Sequence, residues 1–130
     1  MPYKVTEKVT TLVEALFEAG YNGEATLTTS YCSGAAEVIG GSMSVQLSGF
    51  CKETLCIVED TDTGELVFVG RYNAKDVRDS VEGIVQCAWQ MFQSYKPRGY
   101  SMPSAFEELF KKYGYLKQKV VPAKTVWEEA

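Results

Sequence analysis

The sequence predicts an α+β fold: an N-terminal helix, an antiparallel sheet of about four strands, and two C-terminal helices packed on one sheet face. Apolar residues recur at helical spacing at the start of the chain and again in its last third. Alternating and short apolar runs fill the middle, and strands flanked by helices are typical of α+β domains. At 130 residues, the chain suits one domain over 1–121, followed by a tail over 122–130.

The first predicted element is an amphipathic helix that ends at Gly20. Its apolar residues follow steps of three and four, and charged residues occupy the opposite side. Thr6 suits the N-cap position, and glycine is common just beyond a helix C-terminus. The apolar positions are Val5, Val9, Leu12, Val13, Leu16 and Phe17.

The middle of the chain predicts the sheet. Residues 24–32 are rich in threonine and suit a half-exposed strand, whereas 33–41 is ambiguous between a wide turn and a strand edge. Residues 42–48 alternate strictly between apolar and polar side chains, as a strand requires. Two apolar runs flank the turn at 59–64 and predict a hairpin. We expect the polar sheet face, which includes Ser44, to meet water or a second subunit.

Two further helices and a C-terminal segment complete the predicted fold. Asn73, with Asp76 three residues later, suits the start of the second helix. Ser104 and Glu107 match a capping box that opens the third helix. Residues 115–130 are interpreted as a tail or a late edge strand.

Composition and missing motifs argue mildly against an enzyme. The net charge is −4 and histidine is absent, which removes the commonest general base and the commonest zinc ligand. No P-loop or G-x-S-x-G pattern is present. The N-terminus lacks a signal-peptide pattern, and no apolar stretch is long enough for a membrane span, so we expect a cytoplasmic protein. We assign no catalytic residue, no metal ligand and no cofactor.

The four cysteines are interpreted as free, buried thiols, because a reducing compartment disfavours disulfides. They are Cys32, Cys51, Cys56 and Cys87. A four-cysteine zinc site is the less favoured alternative, because the cysteines lack paired metal-ligand spacing. An enzyme with a cysteine or carboxylate centre ranks third among the function classes. The Asp and Gly residues at 60–64 faintly resemble the start of a calcium loop, but a hairpin turn needs the same residue types.

Charge is divided unevenly along the chain. Residues 1–95 hold six basic and thirteen acidic side chains, a net of −7, whereas residues 96–124 hold seven basic and two acidic ones, a net of +5. The basic segment also contains several tyrosines and phenylalanines. Basic residues interleaved with aromatic ones suit the phosphates and rings of a nucleotide. Long nucleic acid is disfavoured because the whole chain is acidic.

The leading functional prediction is a small non-enzymatic binding protein that sequesters a phosphorylated, nucleotide-like ligand. The loop between the last two helices would hold it: basic side chains and the helix N-terminus bind phosphate, and a tyrosine stacks on the base. The predicted contacts are Tyr95, Lys96, Arg98, Tyr100, Ser101 and Ser104. A homo-oligomer could enclose the ligand between subunits. The size and lack of a catalytic set also suit accessory inhibitors of the kind that phages use against host defences.

The alternative prediction is an inhibitor or adaptor that masks a partner protein. Its contact surface would be the acidic region over 1–95 or the C-terminal tail. Trp127 and Val126 are the candidate contact residues, since an exposed tryptophan often marks an interface. The tail could equally fold back on its own sheet. No motif in the sequence is specific enough to assign a family.

Overall fold

The computed structural model describes residues 3–28, 43–50, 53–69, 74–77, 80–121 and 124–130. It confirms the predicted α+β class, with an N-terminal helix, an antiparallel sheet and two C-terminal helices. The strands are β1 (Tyr3–Lys4), β2 (Ala25–Thr28), β3 (Ser44–Phe50), β4 (Glu53–Asp60), β5 (Glu65–Val69), β6 (Ala74–Val77), β7 (Leu116–Val121) and β8 (Lys124–Glu129). The helices are α1 (Glu7–Ala19), α2 (Val81–Tyr95) and α3 (Glu107–Lys112), with short 3₁₀ turns at Lys96–Arg98 and Ser104–Phe106.

The main sheet is antiparallel, in the order β2-β3-β4-β5-β6, and β1 pairs with the end of β4. The predicted hairpin is confirmed, because β4 and β5 pair from Cys56↔Val69 to Asp60↔Glu65. One face of the sheet packs against the helices. The core that results includes Leu16, Leu47, Leu55, Ile57, Ile84, Phe106 and Phe110, all fully buried.

Helix α1 forms as predicted and ends at Gly20. Gly20 has φ 127°, and its N–H donates to the carbonyl oxygens of Leu16 and Phe17. This conformation favours glycine because it lacks a Cβ. Thr6 occupies the N-cap position, but its hydroxyl donates to Glu59 Oε1 at 2.6 Å instead of capping the helix. The helix start is therefore tied to the sheet through a side chain of β4.

Helix α2 begins later than predicted. Residues Ala74–Val77 form strand β6, which pairs with β5, and the helix starts at Val81. Ser80 is the actual N-cap, and its hydroxyl accepts a hydrogen bond from the Gly83 N–H at 3.0 Å. Asn73, the predicted cap, lies outside the described residues. The spacing of apolar residues predicted a helix that begins too early. Such local spacing carries no information on whether a segment pairs with a distant strand.

The capping box predicted for the third helix is wrong. Ser104 opens a 3₁₀ turn and makes no side-chain cap bond, and Phe106 precedes a helix of only six residues. The segment before this helix is fixed by sheet contacts. The Asn22 N–H donates to the Ala105 carbonyl at 3.0 Å, and Gly49 of β3 lies against Ala105.

The C-terminal segment is a two-stranded hairpin. Strands β7 and β8 pair from Leu116↔Glu129 to Val121↔Lys124. Residues 124–129, predicted to belong to a tail, therefore share a ladder with the end of the predicted domain. The domain boundary at 121 itself stays a prediction.

The second face of the main sheet is not open to water around Ser44. Ser44, Cys56 and Val58 are fully buried, and Val67 is nearly so. None of the three apolar residues belongs to the helix-covered core. The expectation that the Ser44 side chain meets water or a second subunit is therefore wrong. Its hydroxyl has no hydrogen-bond partner among the residues that the structure describes.

Candidate functional site

One tyrosine of the predicted ligand loop is buried in the core. Tyr95 is fully buried at the end of α2, and its ring lies 5.3 Å from that of Tyr100, measured between centroids. A ring without exposed surface cannot stack on a ligand in this conformation. The predicted stacking role of Tyr95 is therefore corrected to a packing role, and Tyr100 is partly buried beside it.

Lys96 faces a carboxylate of the C-terminal hairpin. Its ammonium forms an ion pair with Glu129, and Gln93 Nε2 donates to the other oxygen of the same carboxylate at 2.8 Å. The hydrogen bonds from Lys96 and then Gln93 lower the pKa of Glu129. The pair lies at the surface, with about half of the Lys96 side chain exposed. This contact ties β8 to the end of α2 and compensates a charge that was predicted to bind phosphate.

The remaining predicted contacts lie at the surface of the same loop. Arg98 ends the 3₁₀ turn, before Gly99 at φ 90°, and both Ser101 and Ser104 are exposed. The helix that follows is too short to provide a strong dipole and begins without a side-chain cap. Arg98, Ser101 and Ser104 therefore keep the exposure that a ligand contact needs. The predicted helix N-terminus contributes nothing to them.

Trp127 is exposed on the hairpin. About 40% of its surface is open to solvent, and the Lys111 ammonium lies 4.7 Å from the centre of its ring. A cation over an indole face is an attractive contact that also orients the ring. Val126, the other predicted contact residue, is half-buried. The hairpin thus places a large aromatic side chain beside a positive charge.

The hairpin is fixed at its base by an aromatic cluster. Trp89 of α2 stacks on Tyr115 at 5.4 Å and contacts Phe110 edge-on at 4.9 Å, and Leu116 is buried. The Ala130 N–H also donates to the Tyr115 carbonyl at 3.0 Å. This cluster was not predicted from the sequence. A hairpin held in this way can present a surface without first having to fold.

The two faces of the hairpin differ in character, because side chains alternate along a strand. The register places Leu116, Trp127 and Glu129 on the face that meets α2 and α3. The other face carries Lys117, Lys119, Lys124, Val126 and Glu128. We call this second set the lysine face.

A groove of about 490 Å³ runs between α1 and the start of α2. It was not predicted from the sequence. Lys8 at its edge donates to the Gly64 carbonyl at 2.5 Å, and the Ser80 hydroxyl caps α2. Both of these polar side chains are thus already hydrogen-bonded. The lining residues are Glu7, Lys8, Thr11, Leu12, Ala15, Ser80 and Val81.

The described cysteines and acidic residues form no metal site. Cys56 and Cys87 are buried, and no group of three or more potential ligands occurs within the described ranges. Cys32 and Cys51 lie outside those ranges. The acidic turn is a hairpin turn: Asp60 accepts from the N–H groups of Asp62 at 3.0 Å and Gly64 at 2.7 Å. Of the helices in the described part of the chain, none is long and apolar enough to cross a bilayer.

The fold and surface define an α+β protein with an exposed, basic C-terminal hairpin. In comparisons with known proteins, no family model, no curated protein and no solved structure matches the chain. Any function must therefore be argued from the residues themselves.

Proposed function

We propose that the protein is a non-enzymatic binding protein that binds and masks a partner protein through its C-terminal hairpin. The observation that carries this proposal is Trp127, a large aromatic side chain with about 40% of its surface exposed on a fixed element. Tryptophan is among the residues that contribute most binding energy at protein interfaces. The aromatic cluster below the hairpin supports the proposal, because a pre-ordered surface loses less conformational entropy on binding.

Between the two binding functions predicted from the sequence, the protein-partner function has more support. The ligand function loses the Tyr95 ring to burial, and the Lys96 charge is paired with Glu129. Sequestration of a phosphorylated ligand therefore stays a prediction that depends on Arg98, Tyr100, Ser101 and Ser104. Its anti-defence role, the cytoplasmic location and the homo-oligomer likewise stay predictions.

Site-specific photo-crosslinking tests the proposed surface. A photoreactive amino acid at Thr125, which is exposed on the same face of β8 as Trp127, should give one discrete adduct in cells that contain the partner. The same amino acid at Glu14, exposed on α1, is the control position and should give none. Equal adducts at both positions, or none at Thr125, would contradict a hairpin interface.

A matched pair of alanine variants then measures the contribution of the tryptophan to the purified complex. Trp127→Ala should weaken binding at least 30-fold, about 2 kcal/mol or more, as expected for an aromatic anchor. Phe17→Ala is the control, because Phe17 on α1 has nearly the same exposed fraction, 41%. An affinity that falls equally in both variants, or in neither, would remove Trp127 as the anchor.

A further inference from the structure

The outer edge of β7 offers unpaired backbone groups. Within the described chain, β7 pairs only with β8. The bond from the Ala130 N–H to the Tyr115 carbonyl sets the alternation of the ladder, since hydrogen-bonded and open pairs follow each other in an antiparallel sheet. The N–H and C=O groups of Leu116, Gln118 and Val120 therefore point away from β8. An edge of this kind is a template for one more strand.

The lysine face runs along this open edge. Lys117 and Lys119 are on the same side of β7, about 7 Å apart at the usual rise per residue. Their side chains are 61% and 58% exposed, and each ammonium lies 3.9 Å from the single Glu128 carboxylate. One negative charge thus serves two positive ones. Together these three side chains leave a net charge of +1 along the edge.

We infer that the partner contributes an extended acidic segment, which adds as a third strand along β7. Carboxylates at every second residue of that segment face Lys117 and Lys119. This inference rests on the proposed function and names the class of partner. A polypeptide fits this edge better than a nucleic acid does, because a strand edge presents both N–H donors and C=O acceptors, which a peptide backbone matches.

Fluorescence anisotropy with synthetic peptides tests the inference. The probe is a labelled peptide of about eight residues, a length usual for a strand, in which Glu alternates with Thr. The comparison peptide has the same composition with its Glu residues in one block. Strand addition predicts at least fivefold tighter binding of the alternating peptide, since only it places every carboxylate on one side. Equal affinities would overturn the inference in favour of simple charge attraction.

Backbone pairing has a separate signature. Two further alternating peptides carry N-methyl groups on alternate amides, one on the Glu residues and the other on the Thr residues. Only one set of amides faces β7 in an added strand, so one peptide should lose binding at least tenfold and the other should retain it. If both retain binding, no strand is added and the inference is wrong.

The lysines are tested by charge removal. The double variant Lys117→Gln/Lys119→Gln should bind the alternating peptide about fivefold to tenfold more weakly than the parent, and the difference should be larger at low salt. Lys112→Gln, on an exposed lysine of α3, is the matched control and should stay within about twofold of the parent. Tighter binding of single-stranded DNA that depends on the same lysines would replace the acidic peptide with a nucleic acid. Crosslinking at Thr125, on the Trp127 face, reads out the proposed interface independently, so failure of the peptides leaves that result intact.

Discussion

Gly49 lies where the fold leaves little room for a side chain. It lies in β3 at φ 79°, next to a register shift between Leu47 and Phe50. A Cβ built there would lie 2.5 Å from the Cβ of Ala105 and 3.4 Å from its backbone nitrogen. Ala105 is itself held by the hydrogen bond from Asn22, so it has little freedom to move away. We therefore expect Gly49→Ala to be strongly destabilising.

The cost of Gly49→Ala has two parts that a control can separate. The left-handed backbone conformation costs a residue with a Cβ about 1–2 kcal/mol, and overpacking typically adds about 1–3 kcal/mol. Gly99→Ala shares the first part, because Gly99 has φ 90°, but no atom lies within 4 Å of its added Cβ. The expected losses are thus about 2–5 kcal/mol for Gly49→Ala and about 1–2 kcal/mol for Gly99→Ala.

Urea denaturation of both variants measures the two losses. The free energy of unfolding and its denaturant slope are fitted together, so that a change in the unfolded state is recognised. Equal losses in the two variants would refute the close approach of β3 to Ala105. That result would also remove the contact that positions the segment between α2 and α3.

Three further predictions concern single side chains. Ser44→Ala should raise the free energy of unfolding by about 1 kcal/mol in the same assay, because the buried hydroxyl has no partner in the described part of the chain; a loss of stability would reveal one. The pKa of Glu129 is lowered by Lys96 and Gln93, so its stabilising effect is complete above the ordinary carboxyl pKa of 4.5 and is lost as the pH falls through the lower, folded value. The protection of the β8 amides, corrected for the intrinsic exchange rate at each pH, should therefore fall in acid, and Glu129→Gln should remove that pH dependence; an unchanged profile in the variant would exclude this carboxylate. If the ligand prediction is right, Arg98→Ala should weaken nucleoside phosphate binding by about 1.5–3 kcal/mol in calorimetric titration, and an unchanged affinity would remove Arg98 from that site.

Local signals were sufficient where the structure is local. Helix α1 has both a periodic apolar stripe and a glycine at its end, and the β4–β5 hairpin has a turn whose residues bond within the turn. The start of α2 could not be predicted in this way, because β6 exists through pairing with β5. The buried Ser44 is likewise a product of tertiary packing, since strict alternation predicted a solvated side chain there.

The error at Tyr95 was avoidable from the sequence. Ala88, Phe92 and Tyr95 continue the helical spacing of the buried stripe, and all three are buried. The position of Tyr95, two residues before Pro97, suggested a tyrosine of the following loop instead. The β7 part of the lysine face could also have been predicted from the sequence, because Lys117 and Lys119 alternate as strand residues do. The exposure of Trp127, in contrast, depends on how the hairpin meets α3, and no sequence pattern encodes that contact.

The Lys96–Glu129 ion pair makes the two binding predictions compete for one side chain. While the pair is intact, it holds the end of β8 against α2, which favours the protein-binding surface, and it compensates the charge that a phosphate would need. Removing the carboxylate frees Lys96 and loosens the hairpin together. The two functions therefore respond to Glu129→Gln with opposite signs: phosphate binding should strengthen, whereas binding through the hairpin should weaken. Measuring both affinities in the same variant separates the hypotheses more sharply than either affinity alone.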